Sequence, residues 1–252
     1  MVDAQTGGRA GLPDSPAVHD APWDPHDAAP GGAPRGDEPP VGPGHGADDV
    51  GDGLGTPGSE AGGAYRPLPD ISDLRHPRDG GDLDTWARAV AERHGELTPD
   101  EVKAIYRYTT NSGYTEMNSY LRGREYSPED AARIQKDVDD AISGLQKLPT
   151  VTRETVRGTN LPQSVLDQLK VGERYPDQAF QSTTTNRNVA DGFRGDGNAM
   201  IYVDGRTGVD VRALSHFGSE AEVLFSPRAN FEVIRIAQSS DGSYWRIYLK
   251  ER

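Results

Sequence analysis

Apolar positions recur at helical spacing from Leu83 onward. Trp86, Val90 and Ala91 share one face, and Gly95 interrupts the pattern. Thr98-Pro99-Asp100-Glu101 combines a capping box with proline at the first helical position. It predicts a helix carrying Val102, Ile105 and Tyr106. After Gly113, the spacing of Tyr114, Met117 and Leu121 predicts another short helix. Ser127-Pro128-Glu129-Asp130 is a second N-cap signature, opening a long helix with Ile134, Val138, Ile142 and Leu145 along one stripe. The period then changes. Residues 151–156 read as a strand ending at Arg157-Gly158, and residues 162–169 as a short helix. β-forming segments follow at 179–184, 199–203, 209–213, 221–225, 231–236 and 244–249. Turn clusters such as Asp204-Gly205 and Asp241-Gly242-Ser243 separate them. Helices first and strands afterwards predict an α+β architecture. No Gly-rich phosphate loop of the Rossmann or Walker type is present, so any dinucleotide must be bound by other means.

Residues 1–82 carry no such periodicity. They hold 13 of the 19 prolines and 17 of the 30 glycines, with 15 acidic residues against 5 basic ones. About −10 of the −13 net charge therefore sits there. Such a segment buries too little apolar surface to offset the entropy of ordering. The expectation is a disordered tail, 1–82, followed by one catalytic domain, 83–252. His19, His26, His45 and His76 fall in the tail without metal-site spacing, and read as solvated. Trp23 and Tyr65 are isolated aromatics that suit short docking points. The chain has no cysteine, which excludes disulfides and thiolate metal sites. It has no apolar run long enough for a membrane span, and Met1 to Asp14 show no signal-peptide pattern. The acidic balance argues against nucleic acid as a partner.

Three separated elements carry the candidate chemistry. Arg157 stands at a predicted strand end and suits a bidentate phosphate clamp. Ser182-Thr183-Thr184 ends another strand, with hydroxyls at a two-residue spacing that suits holding a carboxylate. Glu220-Ala221-Glu222 leads into the apolar run Val223-Leu224-Phe225. On a strand the two glutamates would project from one face, and adjacent like charges need compensation or a purpose. Taken singly, Arg157 also fits a strand ending at the surface, Ser182-Thr183-Thr184 an ordinary Thr-rich strand, and the glutamates a solvated edge strand.

Together, in this order and spacing, they resemble the ADP-ribosyltransferase exoenzyme family, in its Arg/Ser/Glu class with clostridial binary actin-modifying toxins. The resemblance runs from about Leu97 to Leu249. It includes Ala104-Ile105 through Tyr108-Thr109, Gly113-Tyr114 and Asn118-Ser119-Tyr120-Leu121-Arg122-Gly123. Val156-Arg157-Gly158 has Val where the family usually has Tyr. Phe180-Gln181-Ser182-Thr183-Thr184 ends in Thr where the family has Ser.

The resemblance implies a mono-ADP-ribosyltransferase fold: split antiparallel sheets, N-terminal helices flanking them and an NAD⁺ cleft between. It implies Glu222 as the catalytic carboxylate at the nicotinamide ribose, ordered by Ser182. Glu220 acts on the acceptor, and a glutamate in that place goes with arginine acceptors. Arg157, Gly158, Thr183, Thr184, Phe193 and Arg194 fall to NAD⁺ binding. Tyr106 and Tyr114 line the cleft from the helical side or pack in the core. Phe217 contacts the target or anchors its loop, and His216 has no assigned role. No metal is implied. The partners implied are a target protein with an acceptor arginine, actin or another cytosolic protein, and an immunity protein. The setting implied is a secreted or injected effector acting in another cell's cytosol. An NAD⁺ glycohydrolase and a non-catalytic binding module on the same fold are the rival readings.

Overall fold

The computed structural model describes residues 68–252. The tail reading of residues 1–67, with Trp23, Tyr65 and the first three histidines, lies outside the described residues.

Four helices form the first half: α1 (Leu83–His94), α2 (Pro99–Tyr108), α3 (Asn111–Leu121) and α4 (Pro128–Leu145). Their ends are set by local chemistry. Asp82 caps α1, and Gly95 closes it in the left-handed conformation. Thr98 and Glu101 form the reciprocal capping box of α2. Ser127 caps α4. Helix α3 starts before Gly113, not after it, because the Thr110 hydroxyl accepts the Gly113 N–H at 3.1 Å. Gly113 is required there: a Cβ would run into the carbonyl oxygen of Arg107. The helices bury Trp86, Val90, Val102, Ile105, Ile134 and Val138 in a core that continues to Phe180, Val211 and Leu224 of the second half.

The second half is one seven-stranded sheet. Its strands are β1 (Thr155–Thr159), β2 (Gln181–Thr184), β3 (Ala199–Asp204), β4 (Val209–Asp210), β5 (Glu222–Phe225), β6 (Phe231–Gln238) and β7 (Trp245–Glu251). The order is β4-β5-β2-β1-β3-β7-β6, antiparallel except for β3 with β7. The expected split survives inside it, since β1 and β2 meet at one residue pair, Val156↔Thr184. A group β4-β5-β2 and a group β1-β3-β7-β6 therefore part on either side of that join. Strand β5 shows the two-residue alternation: Leu224 enters the helical core, while Val223 and Phe225 enter a second core with Ile201, Ile247 and Leu249.

Several expectations are corrected. The strand expected at 151–156 forms at Thr155–Thr159, so Arg157 is central in it and not terminal. The strand expected at 209–213 is only Val209–Asp210. Between β2 and β3 lies a helix with no expected counterpart, α6 (Arg187–Arg194); the short helix α5 spans Gln163–Leu166.

The packed domain also starts earlier than Leu83. Leu68, Ile71 and Leu74 pack against the helical core. His76 is buried and lies edge-on to Trp86 at 4.6 Å, so it is not solvated. It caps a 3-10 turn, Pro77–Asp79, that closes on left-handed Gly80. Apolar residues at three-residue spacing fasten this segment despite its Pro- and Asp-rich composition. Among the described residues, no helix is long and apolar enough to cross a membrane.

Candidate active site

The site sits at the join between the two strand groups. Strand β1 carries Arg157, whose guanidinium donates from Nη1 to the Ser182 carbonyl across the join at 2.9 Å. Arg157 is nine-tenths buried, and this bond brings the weakly joined β1 and β2 to one geometry. Next to it, Gly158 lets α6 lie directly on the strand, because a Cβ there would run into the Ala190 carbonyl oxygen. Helix α6 thereby puts Val189 and Phe193 along one wall of the pocket.

Strand β2 pairs with β5 so that Thr184 opposes Glu222 and Ser182 opposes Leu224. Opposed residues of an antiparallel pair share a face, so Ser182, Thr184 and Glu222 point to one side. The Ser182 hydroxyl donates to Glu222 Oε1 at 2.7 Å. The Thr184 hydroxyl donates to the Glu220 carbonyl at 2.6 Å and accepts the Asn186 N–H that opens α6. Thr183 also lines the pocket, and its hydroxyl donates to the Val223 carbonyl at 2.8 Å.

The two glutamates share the pocket, but not by strand pleating. Strand β5 begins at Glu222. Glu220 ends a 3-10 turn, Gly218–Glu220, and Ala221 between them has φ 49° and ψ 43°. Among the described residues, Ala221 is the one non-glycine with positive φ. A left-handed alanine costs about 1 kcal/mol, and the Thr184–Glu220 bond holds the turn against it. The kink, and not a two-residue period, brings both carboxyls to the pocket that Arg157 and Ser182 line.

Electrostatics separates them. Burial pushes the Glu222 carboxyl up to about 7, against the Ser182 hydrogen bond and the Arg157 charge, which both favour the carboxylate. Burial also pushes half-buried Glu220 up to about 7, and the negative charge of Glu222 adds to it. The Ser182 hydroxyl and the Arg157 charge favour the Glu222 carboxylate, whereas the Glu222 charge disfavours that of Glu220, so the two carboxyls differ in what opposes their burial.

The two groups are placed by side chains distant in sequence. Asn118 of α3 accepts the Phe180 N–H at 3.1 Å, and Arg122 grips the Asp177 carboxylate with bonds of 3.1 and 2.8 Å. Both act on the segment entering β2, which accounts for the pattern read at Asn118 to Arg122.

The remaining candidates divide. Phe193 lines the pocket and is 47% exposed. Arg194 follows it but is not a lining residue. Its guanidinium lies 4.5 Å from the Tyr244 ring centre, and it donates to the Gly197 carbonyl at 3.3 Å. Tyr106 and Tyr114 are not brought to the pocket: Tyr106 is buried and bonded to His216 at 2.9 Å, and Tyr114 packs on the helical core. Phe217 lines a separate hollow of about 790 Å³, with Arg78, Arg212 and His216. That hollow is larger than the pocket of about 60 Å³ at Glu222, but it contains none of Arg157, Ser182 and Glu222, so the candidate catalytic residues lie in the smaller one. Sequence reasoning missed Val189 and Ala190. Asn186 as N-cap with Val189, Ala190 and Phe193 following was the signal available. Among the described residues, no cluster of three or more His, Asp or Glu could hold a metal ion.

A family model described as ADP-ribosyltransferase exoenzyme matches residues 84–251. The chain belongs to this family. Similar relatives include the NAD(+)--protein-arginine ADP-ribosyltransferase Tre1 of Serratia proteamaculans, 40% identical over 160 residues, covering 61% of this chain and 34% of that protein. The Tre1 protein of Pseudomonas putida is 37% identical over 193 residues, covering 73% of this chain and 37% of its own length. The chain thus spans about a third of these exoenzyme relatives. Among solved structures, the Vis toxin of Vibrio splendidus, an ADP-ribosyltransferase, aligns with a TM-score of 0.54 and 26% identity over 74% of this chain and 88% of that one. Vis has also been solved in complex with agmatine. The exoenzyme fold is therefore the α+β arrangement described above.

Proposed function

We propose that this chain is an NAD⁺-dependent mono-ADP-ribosyltransferase that modifies an arginine of a target protein. The observation that carries the reading is the buried Glu222 carboxyl, bonded to Ser182 and next to Arg157, with Glu220 in the same pocket. The lining of the pocket suits the nicotinamide-ribose end of NAD⁺ as substrate. Arg157 spends one donor on Ser182 and has others to offer a diphosphate. Phe193 and Val189 give an apolar wall for a planar ring.

The bond that breaks joins the ribose C1′ to the nicotinamide nitrogen, and its electron pair leaves with nicotinamide. Positive charge builds on the ribose, as in glycoside cleavage. The fixed Glu222 carboxylate stabilises that charge, and a preorganised partner in a buried site does so with little reorganisation. Because nicotinamide leaves as a neutral base, no acid is required. A guanidine nitrogen of the acceptor forms the new bond to C1′, and Glu220 takes its proton. The two Tre1 relatives are named for protein-arginine transfer, which supports the acceptor. Actin or another cytosolic protein is our proposed target and an immunity protein a proposed partner; a role as a secreted or injected toxin is supported by the relative named as the ADP-ribosyltransferase toxin AexT.

Incubation of the full chain with labelled NAD⁺ and a cell lysate tests the proposal. A labelled protein whose modified residue is arginine supports it. Nicotinamide release with no labelled protein, and none with added agmatine, favours a glycohydrolase.

A further inference from the structure

The loop that delivers Glu220 is tied to parts of the chain far away in sequence. Arg78 donates from Nη1 to the Ser215 carbonyl at 3.0 Å. The His216 N–H donates to the Thr109 hydroxyl at the end of α2 at 2.8 Å. The Tyr106 hydroxyl and His216 Nδ1 lie 2.9 Å apart. The turn that presents Arg78 is seated on the same aromatic stack, since the buried His76 ring packs against Trp86 at 4.6 Å and Tyr106 at 5.6 Å. Gly218 passes so close that a Cβ there would come within 2.5 Å of Arg78 Nη1. Two residues further on is Glu220. Arg78 itself is not among the residues lining the Glu222 pocket.

We propose that residues 68–82 act, through Arg78, as a positioning element for the arginine acceptor, fixing the Ser215–Gly218 stretch so that Glu220 is presented to the incoming guanidinium. The proposal rests on the assignment of Glu220 to the acceptor step made above. Its consequence is a separation of activities. NAD⁺ hydrolysis needs Glu222, which is fixed by β2 and β5, and not the loop. Transfer needs both. Arg78 and Tyr106 are therefore positioning residues, which touch neither substrate.

The test uses the full chain as wild type, Arg78→Met, Arg78→Lys and Tyr106→Phe. For each sample, nicotinamide release is measured without acceptor, and ADP-ribosyl-agmatine formation is measured across agmatine concentrations. Hydrolysis on the same sample reports that the protein is folded. Arg78→Met should hydrolyse NAD⁺ at nearly the wild-type rate while its kcat/KM for agmatine falls about tenfold, the scale of a modest misplacement of a reacting group. Arg78→Lys, which can still donate one hydrogen bond to the Ser215 carbonyl, should recover part of the loss. Tyr106→Phe, which cuts the second tie, should shift the two activities in the same sense as Arg78→Met. Unchanged transfer in Arg78→Met overturns the proposal. So does a parallel fall of both activities, which would make the segment a general stabiliser. If wild type releases nicotinamide but forms no ADP-ribosyl-agmatine, the arginine reading fails and the proposal falls with it. If wild type and Arg78→Met transfer equally, only the proposal fails.

Discussion

Replacing Glu222 by glutamine should move activity and stability in opposite directions. The side chain keeps its shape, and its amide oxygen can still accept from the Ser182 hydroxyl that now donates at 2.7 Å. What is lost is the charge. If the carboxylate stabilises the positive ribose, both hydrolysis and transfer should fall about a hundredfold or more, the scale of one lost transition-state contact. That corresponds to about 2.7 kcal/mol. Stability should rise. Burial lifts the Glu222 carboxyl from 4.5 to about 7, so between those pH values the folded protein binds more protons than the unfolded chain. Stability contributed by the protonated form is complete below about 4.5 and is lost as pH rises through about 7. By pH 8 the penalty approaches about 3 kcal/mol, reduced to the extent that the pocket relaxes. Glutamine does not ionise and escapes it. The assay is nicotinamide release together with thermal unfolding at pH 5 and pH 8. The variant should be nearly inactive, should melt above wild type at pH 8, and should lose most of that advantage at pH 5. A variant that keeps more than about a tenth of wild-type nicotinamide release would show that the Glu222 charge is not needed for cleavage, and one that melts below wild type at pH 8 would show that its burial carries no penalty.

Three further outcomes are expected. Arg157→Lys keeps the charge but loses the planar fork, and should weaken NAD⁺ binding about tenfold or more, measured by calorimetry; unchanged affinity would remove Arg157 from the diphosphate. Deleting residues 1–67 should leave the melting temperature unchanged. Deleting 1–82 should cost about 3 kcal/mol or more in denaturant titration, because it strips the partly buried Leu68, Ile71 and Leu74 and the Asp82 cap; equal stability of the two truncations would contradict the packing of this segment. Ala221→Gly relieves a left-handed alanine and should be neutral to stabilising by about 1 kcal/mol, whereas Ala221→Val should destabilise; the reverse order in thermal melts would show that the kink is not strained.

Much of the fold was legible because its helix starts are written locally. Thr98 with Glu101 and Ser127 with Asp130 are caps that act within three residues. The site was legible as a set of residues, but its geometry was not. Glu220 and Glu222 share the pocket through a left-handed turn at Ala221, and nothing in Glu-Ala-Glu signals that an alanine takes φ 49°. The hold on that turn comes from Thr184, distant in sequence. Residues 68–82 were read as tail because proline, glycine and aspartate dominate their composition. Three aliphatic side chains and His76 outweigh that composition once α1 and α2 offer a surface. Tyr106 illustrates the opposite limit. Its helical spacing suited either the cleft or the core; it is buried in the helical core, and its hydroxyl is bonded to His216 of the loop at 2.9 Å, a contact its spacing did not signal.

In the proposed function, Glu222 serves cleavage of NAD⁺ and Glu220 the arginine acceptor. Glu220→Gln tests it most directly, with nicotinamide release measured without acceptor and ADP-ribosyl-agmatine formation measured in parallel. Transfer to agmatine should be abolished while nicotinamide release persists. Loss of both activities together, or transfer at the wild-type rate, would contradict it.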